Sequence, residues 1–250
     1  KITFSMTCNV TKNGPDGAEV TFSNGEVAEY DLVVGADGIY SDLRNELWGK
    51  EFAPKFAGQG GWRCNIPRLP EVDQVWLFLT DKGNCGLMPL ADDLMYIWTT
   101  SNEPDASWKE ESQLPAEMHS IVSEVGGIYG EMRDKYLVEG ADVMYRPFEY
   151  VDLPRPWHKG SVVLIGDASH ASTARLAQGA EMAMEDAIVL AEEIEKAGNT
   201  PDALIQWEER RYERCDWMAK TSLKICQHEQ GLVDEPGFNL MGTMIEGRKN

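Results

Sequence analysis

The chain has 250 residues, and its 42% hydrophobic and 26% charged residues are ordinary globular proportions that exclude a disordered or fibrous protein. With a formal net charge of -19 it has no cluster of Lys and Arg suited to a nucleic acid or to an anionic membrane surface. No apolar run approaches the ~20 residues that span a bilayer, so we expect no membrane contact.

The cysteines argue for a reducing environment. They are odd in number and widely spaced, which disfavours both a disulfide framework and a zinc site: Cys8, Cys64, Cys85, Cys215 and Cys226. We therefore expect a cytoplasmic protein without a metal.

Three short strands are predicted in the first 35 residues. Residues 1–10 and 18–22 alternate between apolar and polar side chains, and Asn24-Gly25 favours a hairpin turn. Residues 30–34, which are apolar apart from Asp31, are predicted as a strand covered on both faces. The opening Lys1-Ile2-Thr3-Phe4 resembles the middle of a strand, so we expect the chain to begin partway through a domain.

The middle of the chain predicts a different architecture. A short helix over 39–48 precedes it. After Gly58, aromatic-rich strands at 75–80, 86–90 and 95–100 are followed by one helix at about 114–125. This order favours an antiparallel sheet with a helix on one side. A second buried strand at 161–165 and helices over 178–197 and 201–230 complete the chain.

The first segment with chemical potential is the predicted strand that ends in Gly35-Ala36-Asp37-Gly38 and leads into a helix near Arg44. Ligand sites form at the carboxyl ends of such strands, and glycines allow close approach of the backbone. The alternative is that Asp37 only caps the helix.

The second segment repeats this design. A buried strand ends in Gly166-Asp167, and a loop of small residues leads through Gln178-Gly179-Ala180 into a helix. The first turn of that helix would offer free N–H groups and the positive end of a dipole to an electron-rich group. Ser172 and Thr173 are more simply explained as loop polar residues.

Together the two segments resemble the single-component FAD-dependent aromatic hydroxylases, the group A flavoprotein monooxygenases. The first matches Asp-Gly-x-x-Ser-x-x-Arg from Asp37 to Arg44, and the second matches Gly-Asp at Gly166 and Gln-Gly-x-x-x-Ala-x-Glu-Asp-Ala from Gln178. Salicylate, 6-hydroxynicotinate and quinolone hydroxylases are the nearer relatives by this resemblance, which covers nearly the whole chain.

The resemblance implies an α/β (α+β) fold in which a partial Rossmann-like FAD-binding domain is interleaved with an antiparallel-sheet substrate domain, followed by C-terminal helices. The expected boundaries are FAD-binding domain 1–57, substrate domain 58–150, return to the FAD-binding domain 151–200 and C-terminal helical segment 201–250. The family's opening Gly-x-Gly-x-x-Gly, which cradles the FAD pyrophosphate, is absent from these 250 residues.

FAD is the implied cofactor, and the resemblance carries over a set of residues. Asp167 is expected to bind the ribityl chain, with Gly166 allowing its approach, and N–H groups of the 178–182 segment to lie under the isoalloxazine. The cofactor-binding residues implied are Asp37, Gly38, Arg44, Gly166, Asp167, Ala174, Gln178, Gly179, Ala180, Glu181 and Met182.

The implied reaction uses NAD(P)H as a transient reductant and O2, forms a flavin C4a-hydroperoxide and hydroxylates a small aromatic substrate. His170 is the first candidate for a proton relay, and the alternative is a histidine that anchors its loop. Substrate contacts are expected from Arg63, Trp76, Met88 and Trp98, although Trp and Met on strands are more often core residues.

Three residues depart from the family pattern. Ala174 stands where Pro is usual, Ala177 where Gly is usual, and Glu181 where an uncharged residue is common. A related epoxidase, halogenase or drug-inactivating monooxygenase, or a truncated non-catalytic homologue, are the alternative functions. We expect a monomer or homodimer.

Overall fold

A computed structural model describes residues 1–80, 83–91 and 93–233 of the chain. Within them the chain forms two compact units. Unit 1 comprises Lys1–Lys55 and Glu149–Ile225, and unit 2 comprises Phe56–Phe148 and residues 226–233. Unit 1 contains a parallel strand pair with helices and unit 2 an antiparallel sheet with helices, which confirms the predicted mixed class.

Unit 1 begins with an antiparallel sheet of three strands, β1 (Cys8–Gly14), β2 (Gly17–Phe22) and β3 (Val27–Tyr30). The predicted turn at Asn24-Gly25 joins β2 to β3, and Gly25 has the positive φ of +84° that such a turn requires. The first strand was placed too early, because residues 1–7 lie outside β1.

A second sheet of unit 1 has the order β10-β11-β4, with β4 (Val33–Gly35), β10 (His158–Lys159) and β11 (Val162–Leu164). β11 is parallel to β4, and its three side chains are fully buried, as predicted. The expectation that 30–34 is covered on both faces is wrong. β3 ends at Tyr30, and β4 is an edge strand of the described sheet whose Val34 is 41% exposed.

Four helices belong wholly or mainly to unit 1: α1 (Asp42–Leu47), α4 (Asp167–His170), α5 (Gly179–Ala197) and α6 (Thr200–Glu229). α1 begins later than predicted because the Ser41 hydroxyl accepts a hydrogen bond from the Arg44 N–H and caps it. Among the described residues, no helix combines the length and apolarity needed to cross a membrane.

α6 packs into the core of unit 1 up to Ile225. Its fully buried residues there include Leu204, Trp207 and Met218, and each such side chain contributes roughly 1.5–3 kcal/mol through burial. The expected separate segment 201–250 is therefore divided: residues up to 225 belong to unit 1, residues 226–233 belong to unit 2, and the rest lies outside the described residues.

Unit 2 is built on a five-stranded sheet of order β6-β7-β8-β5-β9. Its strands are β5 (Lys55–Pro67), β6 (Trp76–Thr80), β7 (Gly83–Pro89), β8 (Leu94–Asn102) and β9 (Val143–Tyr150). Helices α2 (Leu114–Ile121) and α3 (Gly127–Tyr136) pack against the apolar face of this sheet. The predicted sheet with helical cover on one side is confirmed, whereas the single helix at 114–125 is wrong, since the chain turns after Val122 and starts α3.

Candidate active site

The two motif loops leave neighbouring parallel strands at the same edge of the sheet. Leu164 of β11 is in register with Gly35 of β4, and the Ile165 N–H donates to the Gly35 carbonyl at 3.0 Å. The Asp37 loop and the Asp167 loop therefore start side by side, at the carboxyl ends where α/β sheets bind ligands.

The Asp37 loop contributes a hydrogen bond to the first turn of α1 and leaves the backbone at Gly38 accessible. Asp37 is exposed, and its Oδ2 accepts a hydrogen bond from the Leu43 N–H at 3.2 Å, as the capping alternative predicted. Gly38 has a φ of +81°, and a Cβ added there would meet nothing within 4 Å. Glycine is thus required by the backbone conformation, and the loop leaves space beside it.

Arg44 connects the two loops from inside the protein. Its Nη1 donates to the Ala168 carbonyl at 2.9 Å and its Nη2 to the Ile39 carbonyl at 2.6 Å, and the side chain is fully buried. Burial lowers the pKa of Arg44, and the charge of Asp37 opposes that shift. The expectation of direct cofactor contact is corrected: Arg44 holds the loops in place and its side chain is inaccessible.

Gly166 is needed for packing as well as for its turn. Its φ is +58°, and a Cβ there would lie 2.8 Å from the Cβ of Ala183 on α5. A side chain at this position would therefore collide with α5, and the approach of a cofactor to the Gly166 backbone stays a prediction.

Asp167, the first residue of α4, presents an exposed carboxylate near the start of α5. Among the described residues no donor contacts this carboxylate, and a Cβ on Gly179 would lie 3.9 Å from its Oδ1. The arrangement leaves Asp167 free to accept a hydrogen bond from a hydroxyl of a ligand.

The first turn of α5 is uncapped. Gln178 is the N-cap residue but makes no side-chain cap, and none of the described residues accepts a hydrogen bond from the N–H groups of Gly179, Ala180 or Glu181. These donors lie at the positive end of a 19-residue helix. Met182 is a correction: its side chain is fully buried and its N–H already donates to the Gln178 carbonyl at 2.9 Å.

The loop before α5 is strained at one departure from the family pattern. Ala177 has a φ of +54°, a conformation that glycine adopts readily and alanine does not. Ala174 is exposed in the same loop. Its own role as a cofactor contact stays a prediction.

His170 lies in a buried network centred on Asp186. Its Nε2 donates to Asp186 Oδ2 at 2.7 Å, the same oxygen accepts the Gly166 N–H at 2.8 Å, and Arg211 Nε donates to Oδ1 at 2.8 Å. Burial lowers the pKa of His170, but its contacts with Asp186 and Cys215 outweigh burial and raise this pKa to about 10. Burial raises the pKa of Asp186, and its bonds to His170, Gly166 and Arg211 bring it below its usual value.

This network favours the anchoring alternative for His170. Its imidazole packs on Trp157 with 5.1 Å between ring centroids, and the residue is buried beside a cavity of about 210 Å³. The Nε2 that a proton relay would use is occupied by Asp186.

His170, Asp186 and Cys215 also lie close enough to one another to hold a metal ion. The Arg211 guanidinium, however, contacts Asp186 and lies 3.3 Å from the Cys215 sulfur, so it already supplies positive charge at this cluster.

In unit 2, three of the four expected substrate contacts share one face of the sheet. Arg63 and Trp98 are direct cross-strand partners. Gly86 of β7 pairs with the other side of Trp98, and Met88, two residues after Gly86, therefore lies on the same face. The Arg63 guanidinium lies 4.5 Å from the centroid of the Tyr96 ring. The buried indole N–H of Trp98 has no partner among the described residues.

Trp76 lies on the opposite face and is a correction. It pairs with Leu87, which pairs with Ile97, and both partners are fully buried beneath α2 and α3. Because side chains alternate along a strand, Trp76 faces the core of unit 2 and not the face of Arg63.

Sequence reasoning assigned no role to two residues of the site, Asp186 and Arg211, although Asp186 lies in the motif that starts at Gln178. A signal was available for the first: buried α5 residues recur at helical spacing as Met182, Asp186, Leu190 and Glu193, so a carboxylate occupies an inward position. An inward acid requires buried partners, and His170 on α4 and Arg211 on α6 are those partners.

Comparison with known proteins identifies the family. A family model described as "FAD binding domain" matches residues 11–219. The chain belongs to this family of FAD-binding domains. Its similarity to a candidate FAD-dependent monooxygenase of Bacillus subtilis, YetM, is 33% identity over 86% of this chain and 58% of that protein.

A further relative and a solved structure extend the comparison. The 3-amino-4-hydroxybenzoate 2-monooxygenase PtmB3 of Streptomyces platensis is 32% identical over 93% of this chain and 59% of its own length. The crystal structure of Klebsiella pneumoniae HpxO complexed with FAD and uric acid has a TM-score of 0.78 and 24% identity, over 98% of this chain and 61% of that one. The chain thus spans less than two thirds of the length of these relatives.

Proposed function

We propose that the protein is an FAD-dependent monooxygenase that hydroxylates a small aromatic or N-heteroaromatic substrate, using NAD(P)H and O2. The observation that carries this proposal is the exposed Asp167 carboxylate beside the uncapped first turn of α5, at the end of β11. Family membership supports it independently.

The residues present fit FAD. Asp167 is a free acceptor for a ribityl hydroxyl, and the N–H groups of Gly179, Ala180 and Glu181 are free donors for the carbonyl groups of a flavin ring. The open backbone at Gly38 belongs to the same edge of the sheet. When bound, FAD supplies the chemistry of accepting a hydride from NAD(P)H and activating O2.

In this proposal, the chain orients and tunes the cofactor. The dipole and N–H groups of α5 stabilise negative charge that develops near its first turn. The Glu181 carboxylate opposes this effect, but it is exposed, so solvent screens it. Arg44 and His170 act as positioning residues, since both are buried and bonded to protein groups.

The open face of the unit 2 sheet is proposed to contact the substrate. Arg63 would bind an anionic substituent, and Met88 and Trp98 would contact a ring, while Trp76 is withdrawn from this role. The names of the relatives include an aminohydroxybenzoate and uric acid as ligands of those proteins. Both are small planar compounds, which supports the proposed substrate class.

A reducing compartment such as the cytoplasm is proposed as the site of action. All five cysteines are free thiols, and four of them are buried. Such thiols persist where disulfides do not form.

The test is the visible absorption spectrum of the protein expressed from its complete reading frame, with Asp167→Asn as the variant. We expect flavin bands that NAD(P)H bleaches faster in the presence of a suitable aromatic acid. We expect the variant to bind FAD about tenfold more weakly, or roughly 1.4 kcal/mol, because the neutral amide oxygen is a weaker acceptor than the carboxylate. A protein that stays colourless after incubation with FAD would refute the proposal.

A further inference from the structure

The Gly166–His170 turn is held from one side by a single carboxylate oxygen. Asp186 Oδ2 accepts the backbone N–H of Gly166 at 2.8 Å and the Nε2–H of His170 at 2.7 Å, so it bonds to both ends of the turn. Asp167 is the exposed residue between these two points. The position of its carboxylate thus depends on a residue that is itself fully buried.

We propose that Asp186 is a positioning residue of the cofactor site, which acts through Gly166 and His170 to fix the Asp167 carboxylate relative to the first turn of α5. The inference rests on the proposed function of that site.

One helix, α5, both carries the free N–H donors of the site and holds the turn that bears the Asp167 acceptor. Asp186 lies on α5, two turns after the free N–H groups of Gly179, Ala180 and Glu181. Ala183 of the same helix packs against Gly166 so closely that no side chain fits between them. The donors and the acceptor are therefore held by one rigid element, and their separation does not depend on the loop that connects them.

A second group of contacts holds Asp186 in place. Arg211 of α6 donates to Asp186 Oδ1 at 2.8 Å, and the indole N–H of Trp207 donates to the Asp186 carbonyl at 3.0 Å. Arg211 also pairs with Glu185 at 2.6 Å. His170 and Arg211 together balance the buried negative charge, as a buried carboxylate requires.

Asp186→Asn isolates this role because it preserves the shape of the side chain. An amide has one acceptor oxygen, whereas the carboxylate receives donors on both oxygens. At least one donor, from the turn or from Arg211, would then face the NH2 group, and the turn would lose its fixed position.

The experiment measures the FAD dissociation constant by titrating apoprotein from the complete reading frame, together with the visible circular dichroism of the bound flavin. The matched control is Glu193→Gln, a buried acid on the same helix that pairs with Lys196 at 3.0 Å and with Arg210 of α6. We expect Asp186→Asn to raise the dissociation constant about tenfold and to change the flavin dichroism. Glu193→Gln should lower thermal stability, but it should leave the FAD dissociation constant within about twofold and the flavin dichroism unchanged.

A double-mutant cycle separates positioning from general stability. If Asp186 acts through Asp167, Asp186→Asn should weaken FAD binding less than about twofold in an Asp167→Asn background. His170→Gln, which removes one of the two contacts with the turn, is the second variant if Asp186→Asn does not fold, and the same loss of effect is expected.

The outcomes also separate this inference from the proposed function. If Asp167→Asn leaves FAD affinity unchanged, or the parent protein binds no FAD, the proposed site is wrong. If Asp167→Asn weakens binding while Asp186→Asn matches Glu193→Gln, or keeps its full effect in the double variant, the positioning role is refuted and the site stands.

Discussion

Ala177 occupies a backbone conformation that its side chain disfavours. A left-handed φ costs an L-amino acid roughly 1–2 kcal/mol, and Ala177 has a φ of +54° in the loop that leads into α5. Its side chain is exposed, so no packing compensates for the strain. The strain lies directly before the N-cap of the helix that forms half of the proposed cofactor site.

Ala177→Gly should therefore stabilise the protein. We expect the free energy of unfolding to rise by up to about 1 kcal/mol, after allowing for the greater entropy of glycine in the unfolded chain. The measurement is urea denaturation. Ala187→Gly, at an exposed position within α5, is the control and should lower the same quantity by about 1 kcal/mol. Equal losses in the two variants would contradict the argument.

Single residues show where sequence reasoning succeeds and fails. The motif at 166–167 predicts an exposed acid after a buried strand, and Asp167 is found so. The motif did not reveal the packing requirement at Gly166, because a motif does not show which atoms fill the space where a side chain would lie; here they are those of Ala183. Trp76 and Trp98 cannot be distinguished by composition, and only the strand register assigns them to opposite faces.

At the scale of elements, a charged pair connects α4 with α5, and the stability of this connection should depend on pH. The folded-state pKa of His170 is raised to about 10, so the folded protein binds a proton that the unfolded chain releases near pH 6.5. The stabilisation is complete below pH 6.5 and is lost as the pH rises through 10. The lowered pKa of Asp186 keeps the carboxylate charged throughout this window.

We expect the unfolding free energy to fall between pH 6.5 and 10 with a slope that approaches about 1.4 kcal/mol per pH unit. Urea denaturation at several pH values measures it, and His170→Gln is the comparison because it lacks the titrating group. The slope should be markedly smaller in that variant. Identical profiles for the two proteins would mean that His170 is neutral in the folded state.

Helices and strands were predicted where the periodicity of apolar residues is strong, and they were missed where glycines interrupt that pattern. The observed ends of the long helices α5 and α6 lie within one residue of the predicted ends, because the apolar spacing of these helices is regular. β5 was missed because Gly58, Gly60 and Gly61 lower its strand propensity, although Gly60 and Gly61 allow the rings of Tyr145 and Phe148 to pack there. α3 was missed because it begins at Gly126-Gly127 without a capping side chain.

The whole molecule carries a large excess of negative charge. The formal net charge is -19 at pH 7, and the excess carboxylates repel one another more strongly in the compact folded protein than in the expanded chain. Raising NaCl from 20 to 300 mM shortens the Debye length from roughly 20 Å to below 10 Å, so we expect the melting temperature at pH 7 to rise by about 2–5 °C. The same salt increase near pH 4.6, the isoelectric point, is the control and should have a smaller effect. A falling melting temperature at pH 7 would show that favourable ion pairs dominate.

The parallel pairing of β4 with β11 sets an order of events during synthesis. These strands are neighbours in unit 1, yet nearly the whole of unit 2 lies between them in the chain. A ribosome adding ~5–20 residues per second therefore leaves β4 without this partner for on the order of ten seconds. The apolar Val33 and Val34 are exposed to chaperones and to other nascent chains during that interval. The rate of translation through the unit 2 coding region thus sets the length of the interval in which β4 lacks this partner.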